Sequence, residues 1–271
     1  MGEEQGMTQQ FETVLFEKSP DKVATITINR PEQMNSFTWT MCQEFRQLWT
    51  DLAEDDEVNA IVLRAAPGRA FSAGADVRGG GGNVLGSTHL WNQRDPGELL
   101  GPKQNRCWKP VICAVHGMCG GGALYWVNES DIVICSPEAE FFDPHVTYGM
   151  TAALEPIGLR WRIPLGEVLR MALMGNDERI GAETALRISL VTEVVELERL
   201  WDRAHQIAAT IAAKPTAATQ GTTRAIWESM DMTRNASLQT ALKYCLLGNA
   251  VGTKEVSREY LMAQKKSFDV R

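Results

Sequence analysis

The chain has 271 residues, 44% of them hydrophobic, enough to bury a core in one large domain or a domain with a small helical extension. A net charge of −7 argues against a nucleic-acid footprint, and no run approaches the roughly 18–20 apolar residues that a membrane span needs. Residues 1–10 are polar and acidic, unlike a secretory leader, and six cysteines without a C-x-x-C pair read as reduced, buried thiols of a cytoplasmic protein. The four histidines have no metal-ligand spacing, so no metal is expected.

Residues 14–17 and 23–29 read as two strands around the turn Ser19-Pro20-Asp21. Pro31 ends the second, because it lacks an N–H to pair. Ser36 or Thr38 can cap a helix running to about residue 53, with Met41, Phe45, Leu48 and Leu52 on one stripe. Asp55-Asp56-Glu57 reads as a solvated acidic turn, and residues 60–64 as the next strand. Ala70-Phe71-Ser72-Ala73-Gly74-Ala75-Asp76 then reads as a small-residue turn leaving that strand. The run Gly79-Gly80-Gly81-Gly82 reads first as a surface loop. It also reads as a movable wall beside a pocket, with Leu90 and Trp91 facing a ligand.

Residues 111–115 read as a strand, Gly117-Met118-Cys119-Gly120-Gly121-Gly122 as a glycine turn, 123–129 as a helix and 132–134 as another strand. Successive glycines let a ligand approach their N–H groups, and a helix start favours negative charge. The stretch is neither G-x-G-x-x-G nor a P-loop, so a developing oxyanion is a sharper reading than a phosphate. The bland alternative is close helix–strand packing. If the two small-residue turns each aim one N–H at the same oxygen, they form an oxyanion hole, each donor being worth roughly 3–4 kcal/mol in a transition state. From about Leu159 the chain reads as helical, with segments at 197–213, 217–230, 238–247 and 255–266.

Three motifs carry a resemblance: Ile26-Thr27-Ile28-Asn29-Arg30-Pro31-Glu32, then Ala70 to Asp76, then Lys109-Pro110-Val111-Ile112-Cys113-Ala114-Val115-His116-Gly117. In this order and spacing they resemble the enoyl-CoA hydratase/isomerase (crotonase) family over about residues 11–268. Leu173-Met174-Gly175 and residues 182–195 add a weaker match. The resemblance implies an α/β fold, a crotonase-like spiral of strand-strand-helix repeats over 11–195. A C-terminal helical trimerisation region would span 196–271, giving homotrimers that often pair into hexamers. It implies an acyl-CoA thioester substrate, with coenzyme A present only as part of that substrate and no permanently bound cofactor.

Carried over by motif, the oxyanion donors are the N–H groups of Ala75 and Gly122. Ala73 and Asp76 line the CoA path, and the CoA arm passes Gln33 and Met34. Arg30 and Lys266, with Arg69 and Lys265, are the cations available to CoA phosphates. Hydratases of the family use two glutamates to hold and activate water. An ungapped count puts Tyr125 and His145 at those positions. A phenol is a poor base at neutral pH but donates a hydrogen bond. An imidazole can act as base or acid, with Asp143 available to fix its tautomer. Glu155 lies within a residue or two of where some relatives keep another acid. Three readings follow: an acyl-CoA enzyme with His145 in place of a glutamate, a C–C bond hydrolase of the same fold, and a non-catalytic acyl-CoA-binding protein.

Overall fold

The computed structural model describes residues 11–78, 89, 91–263 and 270. The chain winds as a spiral in which strands of two sheets alternate with helices. Strands β1 (Val14–Lys18) and β2 (Val23–Ile28) lead to α1 (Trp39–Glu54), whose first turn is capped by the Thr38 hydroxyl accepting from Met41 N. Next come β3 (Ala60–Ala65), β4 (Ala70–Ser72) and the short α2 (Gly97–Leu100). Then β5 (Val111–Val115), β6 (Met118–Gly120) and α3 (Leu124–Glu129) follow, and after them β7 (Ile132–Cys135), β8 (Glu140–Phe142), α4 (Leu154–Leu159) and α5 (Leu165–Met174). The last turn holds β9 (Ile180–Gly181), α6 (Ala182–Arg187) and β10 (Glu193–Val194). Among the described residues four helices follow: α7 (Leu197–Ala212), α8 (Thr216–Ser229), α9 (Arg234–Gly252) and α10 (Arg258–Ala263).

The large sheet has the order β1-β2-β3-β5-β7-β10, parallel except for the β1–β2 hairpin. Its central strands are apolar at nearly every position because both faces are covered. One face packs on α1 and α3 through Phe45, Trp49 and Trp126, with Phe37 and Phe71 set edge-on to Trp126. Each such side chain, fully buried, contributes about 1.5–3 kcal/mol. The other face receives α7, whose Leu200, Ala204, Ala208 and Ala212 recur every fourth residue and let the helix lie close.

The small sheet, β4-β6-β8-β9, departs from the sequence reading. Residues 70–72 and 118–120 are three-residue strands paired in parallel, not turns. Three residues are too few to display a period, and one of 118–120 is Gly120, where a Cβ would meet Phe142 at 2.5 Å. The acidic turn also differs: Asp55 pairs with Lys18 and is not simply solvated. The C-terminal helices dock back on the core at Asp131. That carboxylate accepts from Val111 N (2.7 Å), Lys103 Nζ (2.8 Å) and Trp227 Nε1 (2.6 Å).

Candidate functional site

The two small-residue turns meet. Gly74 has φ +87°, and a Cβ there would lie 2.8 Å from Gly120 O and 3.1 Å from Gly122 N. Only glycine permits that approach. Phe37 N donates to Gly74 O (2.8 Å), and Asp76 N donates to Phe37 O (2.9 Å). A trans peptide points its C=O and N–H to opposite sides, so the Ala75 N–H faces away from Phe37. Gly122 lies in the 3-10 turn Gly121–Ala123 that opens α3, where the leading N–H groups have no partner within the helix. On its other side a Cβ on Gly122 would strike Phe37 Cε1 at 2.6 Å.

The first turn is braced from behind by the residues expected along the CoA path. Ala73 N donates to Met34 O (3.0 Å), just after the 3-10 turn that ends at Gln33. Asn35 Nδ2 donates to Ala70 O (2.8 Å), and Arg30 N to Asn35 Oδ1 (2.9 Å). The Arg30 guanidinium is held by Asp76 (2.9 Å) and by Ser36 O, so it acts as a strut across the turn. Asp76 is thereby kept below the usual carboxylate range, despite an opposing push from burial. Lys266, Lys265, Leu90 and Gly79 to Gly82 lie outside the described residues. Trp91, expected to face a ligand, is 87% exposed.

The side-chain candidates gather around the second turn. A Cβ on Gly121 would lie 3.8 Å from His145 Cε1, and one on Gly122 would lie 3.5 Å from Tyr125 Cε2. His145 opens a 3-10 turn after Pro144, and the wholly buried Asp143 anchors it twice. Asp143 Oδ1 accepts from His145 N (3.1 Å) and lies 2.5 Å from Nδ1. The Nδ1 side is thus taken by Asp143, and Nε2 is left toward Glu155 Oε1 at 3.9 Å. The Asp143 hydrogen bond raises the His145 pKa; burial opposes it, and the charges of Asp143 and Glu155 add to the rise.

Glu155 stands in the first turn of α4, 6% exposed, and burial raises its pKa above the ordinary carboxylate value. Its carbonyl accepts from Asn128 Nδ2 (2.9 Å), which ties α4 to α3. Tyr125 is 8% exposed, with its phenol set against Glu155 and Asp95. Burial and these two acids hold the phenol in its neutral form, well above its ordinary pKa. Asp143, His145 and Glu155 offer ligand atoms within 4.8 Å of one another. The close Nδ1–Oδ1 hydrogen bond uses one atom of each partner, so the cluster is better described as a hydrogen-bonded acid/base group than as a metal cage.

Thus Ala75, Gly122, Tyr125, His145 and Glu155 come together, as do Gln33, Met34, Ala73, Asp76 and Arg30. Sequence reasoning missed Asp95 and Asn128. Asp95 does carry a local turn signal, since its Oδ1 accepts from Gly97 N (3.0 Å) in Asp95-Pro96-Gly97. Nothing in that signal points to Tyr125.

The enoyl-CoA hydratase/isomerase family model matches residues 18–266. A crystal structure of an enoyl-CoA hydratase/isomerase from Mycobacterium paratuberculosis superposes with a TM-score of 0.85 at 32% identity, covering 97% of this chain and 100% of that one. The short-chain-enoyl-CoA hydratase of Clostridium acetobutylicum is 31% identical over 87% of each chain. The 1,2-epoxyphenylacetyl-CoA isomerase of Escherichia coli is 30% identical over 72% of this chain and 74% of its own.

Proposed function

The chain belongs to the enoyl-CoA hydratase/isomerase family, and within it we propose an enzyme that holds an acyl-CoA thioester oxygen between the N–H groups of Ala75 and Gly122 and moves the substrate proton through His145. One observation carries this reading: the close approach of Gly74 to Gly120 and Gly122, which supports a pairing of the next residue's N–H, that of Ala75, with the N–H of Gly122. Two backbone donors stabilise the oxygen as it gains enolate charge, by roughly 3–4 kcal/mol each. They require small residues, not particular side chains.

His145 Nε2 takes a proton from the acyl carbon, and Asp143 steadies the imidazolium that forms. Glu155, with its pKa raised by burial, exchanges protons nearer neutrality than an exposed glutamate. Tyr125 remains neutral and orients Glu155. Coenzyme A enters only as part of the substrate, and several relatives are named for CoA thioesters, which supports that choice. We assign residues 11–195 to the catalytic spiral and 196–271 to a helical trimerisation region. The exposed Leu238, Leu242 and Leu246 of α9 support such a contact, in trimers or paired trimers. Buried free thiols at five of the six cysteines support a cytoplasmic setting, and among the described residues no helix is long and apolar enough to cross a membrane.

The pairing of His145 with Glu155 also suits activation of water for C–C bond hydrolysis in a substrate without CoA. Turnover of a panel of enoyl-CoA thioesters, with binding measured in parallel, decides between these. Turnover with tight binding is the expected result. Crotonyl-CoA hydration is expected to be weak beside that of a two-glutamate hydratase, since Tyr125 and His145 stand at the glutamate positions. Binding without any turnover would leave a carrier of acyl-CoA, and no binding at all would favour the hydrolase.

A further inference from the structure

Beyond Tyr125 lies a space that the oxyanion turns do not explain. A pocket of about 480 Å³ opens between α3, α4 and α8, with Tyr125, Leu154, Ile157, Trp161, Trp227 and Met230 among its walls. Tyr125 joins it to the site: one ring edge lies against Gly122, and the other packs on Gly97, where a Cβ would meet Tyr125 Cδ1 at 2.6 Å. Tyr125, whose phenol is set against Glu155, is itself a wall of the pocket and so links it to the acid/base group. A four-carbon acyl chain would leave most of this volume unfilled.

The shape of the walls narrows the occupant. Three indoles line the pocket, and each is already held by a cation. Arg224 lies 5.3 Å from the Trp108 ring, Arg160 4.8 Å from Trp161 and Lys103 5.7 Å from Trp227. Trp227 is further fixed by its bond to Asp131. Planes held in this way favour a flat, rigid ligand, which loses little freedom on binding, over a flexible chain. Four acidic residues line it, Asp95, Glu129, Glu228 and Asp231, and the first three are engaged within the fold, Asp95 by Gly97 N. Glu129 accepts from Lys103 N and Gln104 N, and Glu228 is taken by Arg224 and Tyr244.

We infer that the substrate's acyl group carries an aromatic ring close to the reacting carbons, seated between Tyr125 and the indoles. This rests on the reading of the site as an acyl-CoA enzyme. The test measures calorimetric binding of free CoA, crotonyl-CoA, trans-2-octenoyl-CoA and cinnamoyl-CoA to the wild type and to Trp161→Ala. Trp161 is 48% exposed, so its truncation leaves the core intact. Cinnamoyl-CoA should bind roughly tenfold more tightly than either linear thioester, the scale of one well-placed aromatic contact, and Trp161→Ala should abolish that preference. Equal affinity for cinnamoyl-CoA and octenoyl-CoA, or a preference untouched by Trp161→Ala, overturns the inference and leaves the acyl-CoA reading standing. Failure of every thioester to bind overturns both.

Discussion

Where Gly74 meets Gly122, the geometry is fixed by what is missing. A Cβ on Gly74, Gly120 or Gly122 would run into Gly120 O, Phe142 or Phe37 at 2.5–2.8 Å. Where His145 meets Asp143 and Glu155, the geometry is fixed by what is present: one buried carboxylate against Nδ1 and a second acid facing Nε2. In the proposed reaction the first region holds the thioester oxygen, and the second decides which proton moves. A fold can therefore keep its oxyanion donors while changing its chemistry, because backbone donors survive substitutions that side-chain acids and bases do not.

The widest separation of the two regions is expected from His145→Ala. Removing a general acid/base costs roughly 10²- to 10⁴-fold in turnover. Affinity for a CoA thioester should stay near the wild-type value, because the oxygen is held by backbone. Turnover and calorimetric binding on the same preparations check this. Equal turnover would move the acid/base role to Glu155.

Gly122→Pro attacks the other region. It deletes one donor and drives a ring toward Phe37, so kcat should fall by about 10²- to 10³-fold, the value of one oxyanion contact. Unlike the histidine variant, it should also weaken thioester binding. Circular dichroism establishes that the variant is folded. A folded variant with unchanged kcat would remove Gly122 from the proposed hole.

The two regions were not equally legible in the sequence. Small residues in a fixed order announced both turns, and the long strands and α1 stood out by hydrophobic period. β4 and β6 did not, because three residues carry no period and look like the turns beside them. Tyr125 and His145 were reached by counting along family motifs, since no local pattern joins them. Asp95 lies 30 residues from Tyr125 in sequence and reads only as a turn residue. Its place beside the phenol depends on how α2 packs on α3. Trp91 read as a ligand-facing residue because it follows the glycine run, yet it is 87% exposed.

The pH profile sharpens the comparison without breaking it. Asp143 raises the His145 pKa above its ordinary value of 6.5, so a base at Nε2 becomes active only above that point. The acidic limb of kcat should therefore lie above ~6.5 in the wild type and move down in Asp143→Asn. Stability runs in the opposite direction. The His145–Asp143 contact contributes fully below ~6.5 and is lost as pH rises through the raised pKa. Chemical denaturation across pH 5–9 should show that loss in the wild type and less of it in Asp143→Asn. A limb that stays in place would mean that Asp143 does not tune His145.

The smallest effect is expected from Tyr125→Phe, which keeps the ring against Gly97 and Gly122 and removes only the hydroxyl. In the wild type the phenol lowers the Glu155 pKa by hydrogen bonding, against the larger rise from burial. Without it, Glu155 should titrate at still higher pH and hold its proton over more of the neutral range. One hydrogen bond to a group that is partly neutral is worth about 1 kcal/mol, so turnover should fall by less than about tenfold. The profile carries the more specific signal: a shift of the Glu155-dependent limb toward higher pH, with thioester affinity unchanged. A Tyr125→Phe profile that superposes on the wild type would reduce Tyr125 to a wall of the pocket. It would leave the oxyanion turns, His145 and Glu155 as the whole of the reacting site.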